Sequence, residues 1–284
     1  TAWLLWCAGE LVEALQGDAT AVAGPALGVE SGELARWSSI SRRLYIPFHD
    51  GVISQFSDYE RLEPFDLDAY QDRYGNIGRL DLILEAEGDA VRRYQVAKQA
   101  DVLMLFYLLS AEELRSVFER LGYGLEPATI RATVDYYARR VTHGSTLSKV
   151  VHSWVLARVD RKASWRYFQE ALAADITDSQ GGTTREGVHL GAMAGTVDIL
   201  QRCYTGLEVR ADALWLNPQF PAELDHVRLT VDFRGSTVAI DADHRRLRVE
   251  VSGGPTPPVT VMVGGTPRVL APGATLELRL DPRP

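Results

Sequence analysis

ALWLNPQFPAELDHVRLTVDF, residues 213–233, contains the point at which this chain changes structural class. Pro218 and Pro221 remove two backbone donors within four residues, so the helical periodicity that precedes them stops here. Downstream, HVRLTVDF, STVAID, RLRVEV, VTVMV, PRVL and TLELRL alternate apolar and polar residues at period two, separated by Gly, Pro and Asp turns. That texture predicts a small antiparallel β-sandwich over residues 211–284. Upstream, apolar residues recur at three- and four-residue spacing over 2–16, 29–42, 79–85, 99–108, 111–121, 127–139, 147–159, 163–172 and 188–202. Ser110 followed by Glu113 has capping-box spacing, and Pro127 suits a first helical turn. Residues 1–210 therefore read as a layered α/α array, and the expected fold class is mainly α with a β domain.

With 284 residues, 46% hydrophobic composition and a formal net charge of -8, the chain can bury a substantial core. The acidic balance, without a block of Lys and Arg, argues against nucleic acid or an anionic membrane as partner and leaves small molecules. No stretch reaches the ~20 apolar residues of a membrane span. The opening TAWLLWCAGELVEAL has neither a basic leader region nor a small-residue cleavage site. It enters an amphipathic helix without a preceding cap, so the chain reads as cut from something longer. Cys7 and Cys203 lie far apart in apolar helical patterns and read as reduced core thiols, which suits a cytoplasmic protein. No His, Cys or carboxylate cluster has metal-ligand spacing, so no metal is expected.

Four segments can carry chemistry. YIPFHDGVISQFSDYERL, residues 45–62, mixes aromatic rings with amides and carboxylates. It fits a sugar site, or equally a surface loop anchored by its aromatics. YQVAKQADVLMLFYLL, residues 94–109, reads as a buried helix with Lys98, Gln99 and Asp101 at its amino-terminal mouth. A cation there is costly unless a carboxylate or a polar ligand faces it. RVTHGSTLSKVV, residues 140–151, places His143, Gly144, Ser145 and Thr146 at a helix start. This is a plain Ser/Thr cap or an anion cradle of hydroxyls and first-turn amides. DSQGGTTREGVHLGAMAGTVDILQRCY, residues 178–204, has Glu186 and His189 before a helix whose Gly191, Ala192, Ala194 and Gly195 permit close packing. Glu186 fits a general base or a first-turn carboxylate. His152 reads as a satisfied core residue, and His226 and His244 belong to the sheet region.

Taken in order, YQVAKQADVLMLFYLLS, DYYARRVTHGSTLSKVVHSWVLAR, QGGTTREGVHLGAMAGTVDILQRCYTGLE and ADALWLNPQFP resemble the carboxyl-terminal half of glycoside hydrolase family 65. That family holds inverting phosphorylases of α-linked glucose disaccharides such as maltose, trehalose and kojibiose, with some hydrolases. The resemblance implies that residues 1–210 are part of an (α/α)6 catalytic barrel, followed by a small β-sandwich. It implies that Lys98 and Gln99 bind hydroxyls of the transferred glucosyl unit, and that His143, Ser145 and Thr146 form the phosphate loop. Inorganic phosphate would be the co-substrate, with no cofactor, and β-glucose 1-phosphate the product. A hydrolase of the same fold would need a base to activate water, for which Glu186 is the candidate, and a non-catalytic carbohydrate-binding fragment is the remaining alternative.

The family's catalytic acid is a glutamate in a Gly-Pro-Asp-Glu-type segment, and no residue of this chain matches it. No catalytic residue is therefore expected in this chain, and the chain alone is expected to be inactive. The upstream half of the same protein, present as a separate chain, is the expected partner, and the family resemblance implies a homodimer.

Overall fold

The computed structural model describes residues 1–17, 28–157, 159–179, 182–210 and 212–280. It resolves into two compact units, one of residues 1–75 with 81–141 and the other of residues 76–80 with 142–284.

The first unit is helical. Its elements are α1 (Ala2–Gly17), α2 (Ser31–Ser41), the hairpin β1 (Phe48–His49) and β2 (Val52–Ile53), α3 (Leu67–Tyr74), α4 (Leu80–Ala86) from its second residue on, α5 (Met104–Leu108), α6 (Ala111–Arg120) and α7 (Pro127–Ala138). Asp50 and Gly51 turn the hairpin with φ of 46° and 77°, as a tight two-residue turn requires. At α6 the capping box forms as the spacing predicts: Glu113 N–H donates to Ser110 Oγ at 3.2 Å and Ser110 N–H donates to Glu113 Oε2 at 2.9 Å. Leu114, Val117 and Phe118 put its apolar stripe into the core. Pro127 opens α7, as predicted.

Two expectations for this unit need correction. Residues 67–74 were not expected to be helical, because LDAYQDRY has no apolar stripe and α3 buries nothing. Local chemistry makes that helix instead: Ala69 N–H donates to the Asp66 carboxylate at 3.0 Å, and Gly75 ends it at φ 72°. The predicted buried helix over 99–108 shrinks to the five residues of α5, none of them buried. Residues 98–103 form bends and turns, so apolar content there reflects loop side chains such as Val102 and Leu103 reaching the core.

The second unit begins with the helical hairpin α8 (Thr146–Leu156) and α9 (Arg161–Leu172), then α10 (Leu190–Asp198), which continues as a π-helical turn over Ile199–Tyr204. The small-residue stripe works as expected at Gly195. A Cβ there would lie 2.6 Å from Val150 Cγ1, so α10 approaches α8 more closely than alanine allows. Between the helices, Ser164 Oγ donates to Ser153 O at 2.7 Å and lies 3.1 Å from Tyr204 Oη, which satisfies three buried polar groups together.

The β region has two four-stranded sheets. One runs β10 (Thr275–Arg279), β7 (Arg246–Val251), β6 (Ser236–Asp243), β5 (His226–Phe233), all antiparallel. The other runs β3 (Glu208–Arg210), β4 (Ala213–Leu216), β8 (Val259–Val263), β9 (Thr266–Leu270). All six sequence-predicted strands form. Within β6 and β7 the alternation buries Val238, Ile240, Ala242, Leu247, Val249 and Val251 on one face.

The expectation of a wholly antiparallel domain is wrong at one pair: β4 and β8 run parallel, Leu214 opposite Val261. The chain leaves the first sheet after β4, builds β5 to β7 in the second, and returns alongside β4. Period-two patterning cannot distinguish these pairings, because side chains alternate identically in both.

The boundary stretch itself lies against the end of the helical region. Asn217 N–H donates to Thr205 O at 3.0 Å and Gln219 N–H to Tyr204 O at 2.8 Å. Gly206, at φ 64°, leaves room for the Asn217 backbone, which a Cβ would meet at 2.7 Å.

Candidate functional site

In the second unit, His143 adopts φ 53°, a left-handed conformation that a non-glycine residue takes only where its surroundings enforce it. Gly144 follows, and Gly78 packs against it, with the position of an added Cβ 3.6 Å from Gly144 Cα. Ser145 is then the N-cap of α8, extended at φ -141° and ψ 137°. The cap reading holds by position but not by chemistry, since the Ser145 side chain makes no capping bond. Among the described residues the Ser145 and Thr146 hydroxyls have no hydrogen-bond partner in the fold, and neither have the amides of Thr146 and Leu147. Ser148 N–H is the first amide of the turn to find a carbonyl, that of Ser145, at 3.1 Å. The start of α8 thus presents two hydroxyls and two N–H groups with their donors unspent, at the positive end of the helix dipole.

The His143 ring packs beside the first turn of α8. Its Nδ1 lies 3.1 Å from Ser148 Oγ and its Nε2 3.5 Å from Tyr167 Oη. The His152 ring meets it edge-on at 4.7 Å, and Tyr167 packs against both histidines at 5.3 Å. Burial, reinforced by the neighbouring His152, Lys149 and Arg166, pushes the His143 imidazole down to about 3, so the ring is neutral at physiological pH. Lys149 pairs with Glu170 at 3.2 Å, and Arg166 reaches the same carboxylate at 3.9 Å. The arrangement can hold an anion by neutral donors and a helix dipole, within the field of two nearby cations.

His152 is buried, as expected, but only half satisfied. Its Nδ1–H donates to Ser148 O at 2.8 Å, while Nε2 is buried without a partner among the described residues.

The loop 182–189 is stapled to the turn after α9. His189 Nδ1 lies 2.5 Å from Asp175 Oδ1, His189 N–H donates to Asp175 Oδ2 at 3.0 Å, and Thr183 Oγ1 sits 3.2 Å from His189 Nε2. Those bonds to His189 hold the Asp175 carboxyl below its usual range. Glu186 ends a short 3-10 turn over Thr183–Glu186, and its side chain lies outside the described residues.

In the first unit, Lys98 and Gln99 are exposed in the bend before α5 rather than at the mouth of a buried helix. The desolvation cost expected for Lys98 therefore does not arise within this chain. Gln99 Nε2 donates to Asp101 Oδ1 at 3.0 Å and Gln55 Nε2 donates to Asp101 Oδ2 at 3.0 Å, so Asp101 joins the loop 45–62 to Gln99. The loop is anchored to the fold by its aromatics, as the second reading expects. Tyr59 is buried in an aromatic cluster with Tyr136 and Tyr137, while Tyr45 and Phe56 are exposed. Tyr59 Oη and Gln55 Oε1 are buried without partners among the described residues.

Ser148, Tyr167 and Asp175 were not singled out from sequence. Ser148 stood five residues from His143 in the quoted stretch, a visible signal. Tyr167 and Asp175 carry none, since helix packing alone brings them near His143 and His189.

A profile described as the glycosyl hydrolase family 65 central catalytic domain matches residues 1–198, and one described as the C-terminal domain of that family matches residues 207–270. The chain belongs to glycosyl hydrolase family 65. An uncharacterised glycosyl hydrolase of Mycobacterium tuberculosis (strain H37Rv) is 50% identical over 252 residues, which is 89% of this chain and 19% of that protein. Trehalose 6-phosphate phosphorylase of Lactococcus lactis is 34% identical over 221 residues, 77% of this chain and 29% of the relative. A solved structure of a human-microbiome protein assigned as a kojibiose phosphorylase shares the fold, at a TM-score of 0.74 and 20% identity, over 98% of this chain and 37% of the other. This family 65 chain thus spans less than a third of the length of the Mycobacterium tuberculosis and Lactococcus lactis relatives.

Among the described residues, no helix is long and apolar enough to cross a membrane. Among the described residues neither cysteine forms a disulfide, Cys203 being buried and Cys7 half-buried.

Proposed function

We propose that this family 65 chain supplies the phosphate loop and part of the glucose site of an inverting α-glucoside phosphorylase. The observation that carries this reading is the start of α8. A serine at the N-cap normally spends its hydroxyl on the helix, and Ser145 does not. With the Thr146 hydroxyl and two amides also unspent, and a neutral His143 two residues before the cap, the loop has the donor set for a tetrahedral oxyanion. Phosphate held there is already a nucleophile, so attack on the anomeric carbon needs no carboxylate base. Inversion then gives β-glucose 1-phosphate while an acid protonates the leaving oxygen. Lys98 and Gln99 bind hydroxyls of the glucosyl unit, Gln99 being oriented by Asp101.

The general acid has no counterpart in these 284 residues, and we assign it to the remainder of an (α/α)6 barrel that these helices share. On α1, Leu4, Leu11 and Leu15 lie along one face with 62%, 60% and 46% of their surface exposed, which supports a covering partner. That partner is the acid-bearing portion of the same protein, and the completed enzyme is a cytoplasmic homodimer. An α-linked glucose disaccharide is the substrate. The identity to a trehalose 6-phosphate phosphorylase supports testing trehalose and its 6-phosphate first.

The test is product formation by this chain together with the acid-bearing portion. Glucose 1-phosphate should form only when inorganic phosphate is present, and His143→Ala should raise the KM for phosphate while leaving that for disaccharide unchanged. Glucose release at the same rate without phosphate would establish hydrolysis instead, with Glu186 as the candidate base.

A further inference from the structure

His143 is held by three residues to which the phosphate reading gives no part. Ser148, in the first turn of α8, contacts both histidines of the cluster. Its hydroxyl lies 3.1 Å from His143 Nδ1, and its carbonyl accepts from His152 Nδ1 at 2.8 Å. A carbonyl only accepts, so neutral His152 carries its proton on Nδ1 and leaves Nε2 as a bare lone pair. For His143 the hydroxyl offers two arrangements. If His143 Nδ1–H donated to Ser148 Oγ, the Ser148 proton would need another acceptor, and among the described residues the Ser148 hydroxyl makes no other hydrogen bond. Ser148 is 2% exposed, so that proton would also be cut off from water. With the hydroxyl donating to Nδ1, the buried proton is satisfied and the single proton of the neutral ring falls on Nε2.

We propose that Ser148, His152 and Tyr167 are positioning residues that fix His143 in the Nε2–H form and aim it as a neutral donor at the phosphate. This rests on the phosphate-loop reading. The opposite tautomer would place a lone pair against phosphate oxygens and repel them. Tyr167 Oη, 3.5 Å from Nε2, lies at the outer limit of a hydrogen bond, so a phosphate oxygen at a normal distance displaces it as acceptor. The His152 ring, edge-on at 4.7 Å and 67°, and the Tyr167 ring prevent His143 from rotating out of line. The two histidines therefore carry opposite tautomers, His143 on Nε2 and His152 on Nδ1. Ser148 imposes both, through its hydroxyl and its carbonyl.

The first arm of the test is a long-range 1H–15N spectrum of the full chain labelled at histidine. His143 should show its proton on Nε2 and His152 on Nδ1, and Ser148→Ala should turn His143 into a mixture while leaving His152 unchanged. A His143 proton on Nδ1 in the unaltered chain, or no change in Ser148→Ala, overturns the proposal whatever the activity. Alanine is well tolerated in a helix, so loss of fold is not expected to obscure the result.

The second arm is kinetic, in the completed enzyme. Ser148→Ala and His152→Phe should each raise the KM for phosphate about three- to tenfold, the effect of one lost hydrogen bond. The KM for disaccharide should not move, and Tyr167→Phe should have the smallest effect. Equal changes in both KM values would mark a merely structural role and overturn the proposal. If instead His143→Ala leaves phosphate KM unaltered while the spectrum shows the two tautomers as stated, the phosphate reading falls and the tautomer assignment stands.

Discussion

At the scale of single residues, the start of α8 separates two roles that usually coincide in one serine. Replacing an N-cap serine by alanine ordinarily costs about 1 kcal/mol. Because the Ser145 hydroxyl makes no capping bond, Ser145→Ala should leave the melting temperature nearly unchanged while raising the KM for phosphate. A clear loss of stability with unaltered phosphate KM would return Ser145 to the role of a plain cap.

His143 makes a second prediction, on pH. Its imidazole is pushed from an ordinary 6.5 to about 3 in the fold, by burial first and then by His152, Lys149 and Arg166, with Glu170 paired to Lys149. The unfolded chain therefore binds a proton that the folded one refuses, and stability falls as pH drops below about 6.5 toward about 3. His143→Gln should flatten that dependence in urea midpoints measured between pH 7 and 5. An identical slope in the variant would contradict the assigned shift.

At the scale of elements, α8 is positioned by the close approach of α10. An alanine at position 195 would press its Cβ into Val150, a fully buried branched side chain with no room to yield. Gly195→Ala should therefore destabilise the protein by about 1–3 kcal/mol despite alanine's better helix propensity. Gly191→Ala, where an added Cβ meets nothing within 4 Å, should be neutral or stabilising, as denaturant titration of the two variants will show.

Elements with strong periodicity or caps were legible in the sequence: the box at Ser110 and Glu113, Pro127 opening α7, and the six alternating strands. What was not legible depended on other kinds of information. Helix α3 forms from caps without an apolar face. The segment 98–103 is apolar in part because loop side chains enter the core. The parallel pairing of β4 with β8 depends on the route of the chain, which alternation does not encode. At the site, the residue types of the loop 143–146 were visible, whereas Tyr167 and Asp175 come close only through packing of α9 against its neighbours.

At the scale of the molecule, the leucine face of α1 has a consequence for association. Leu4→Gln with Leu11→Gln should reduce self-association of the chain in sedimentation velocity, and should also weaken its assembly with the acid-bearing portion. Unchanged behaviour in both would mean that this face is not covered by protein. Family membership rests on profiles that together match most of the chain, and the relatives are several times longer than this chain. On the proposed reading, the chemistry belongs to an assembly in which α8 supplies the nucleophile's cradle. The most direct measurement is glucose 1-phosphate formation from an α-linked glucose disaccharide by that assembly, with and without inorganic phosphate. Strict dependence on phosphate, weakened by His143→Ala through the phosphate KM alone, is the predicted result, and equal sugar release in the absence of phosphate would contradict it.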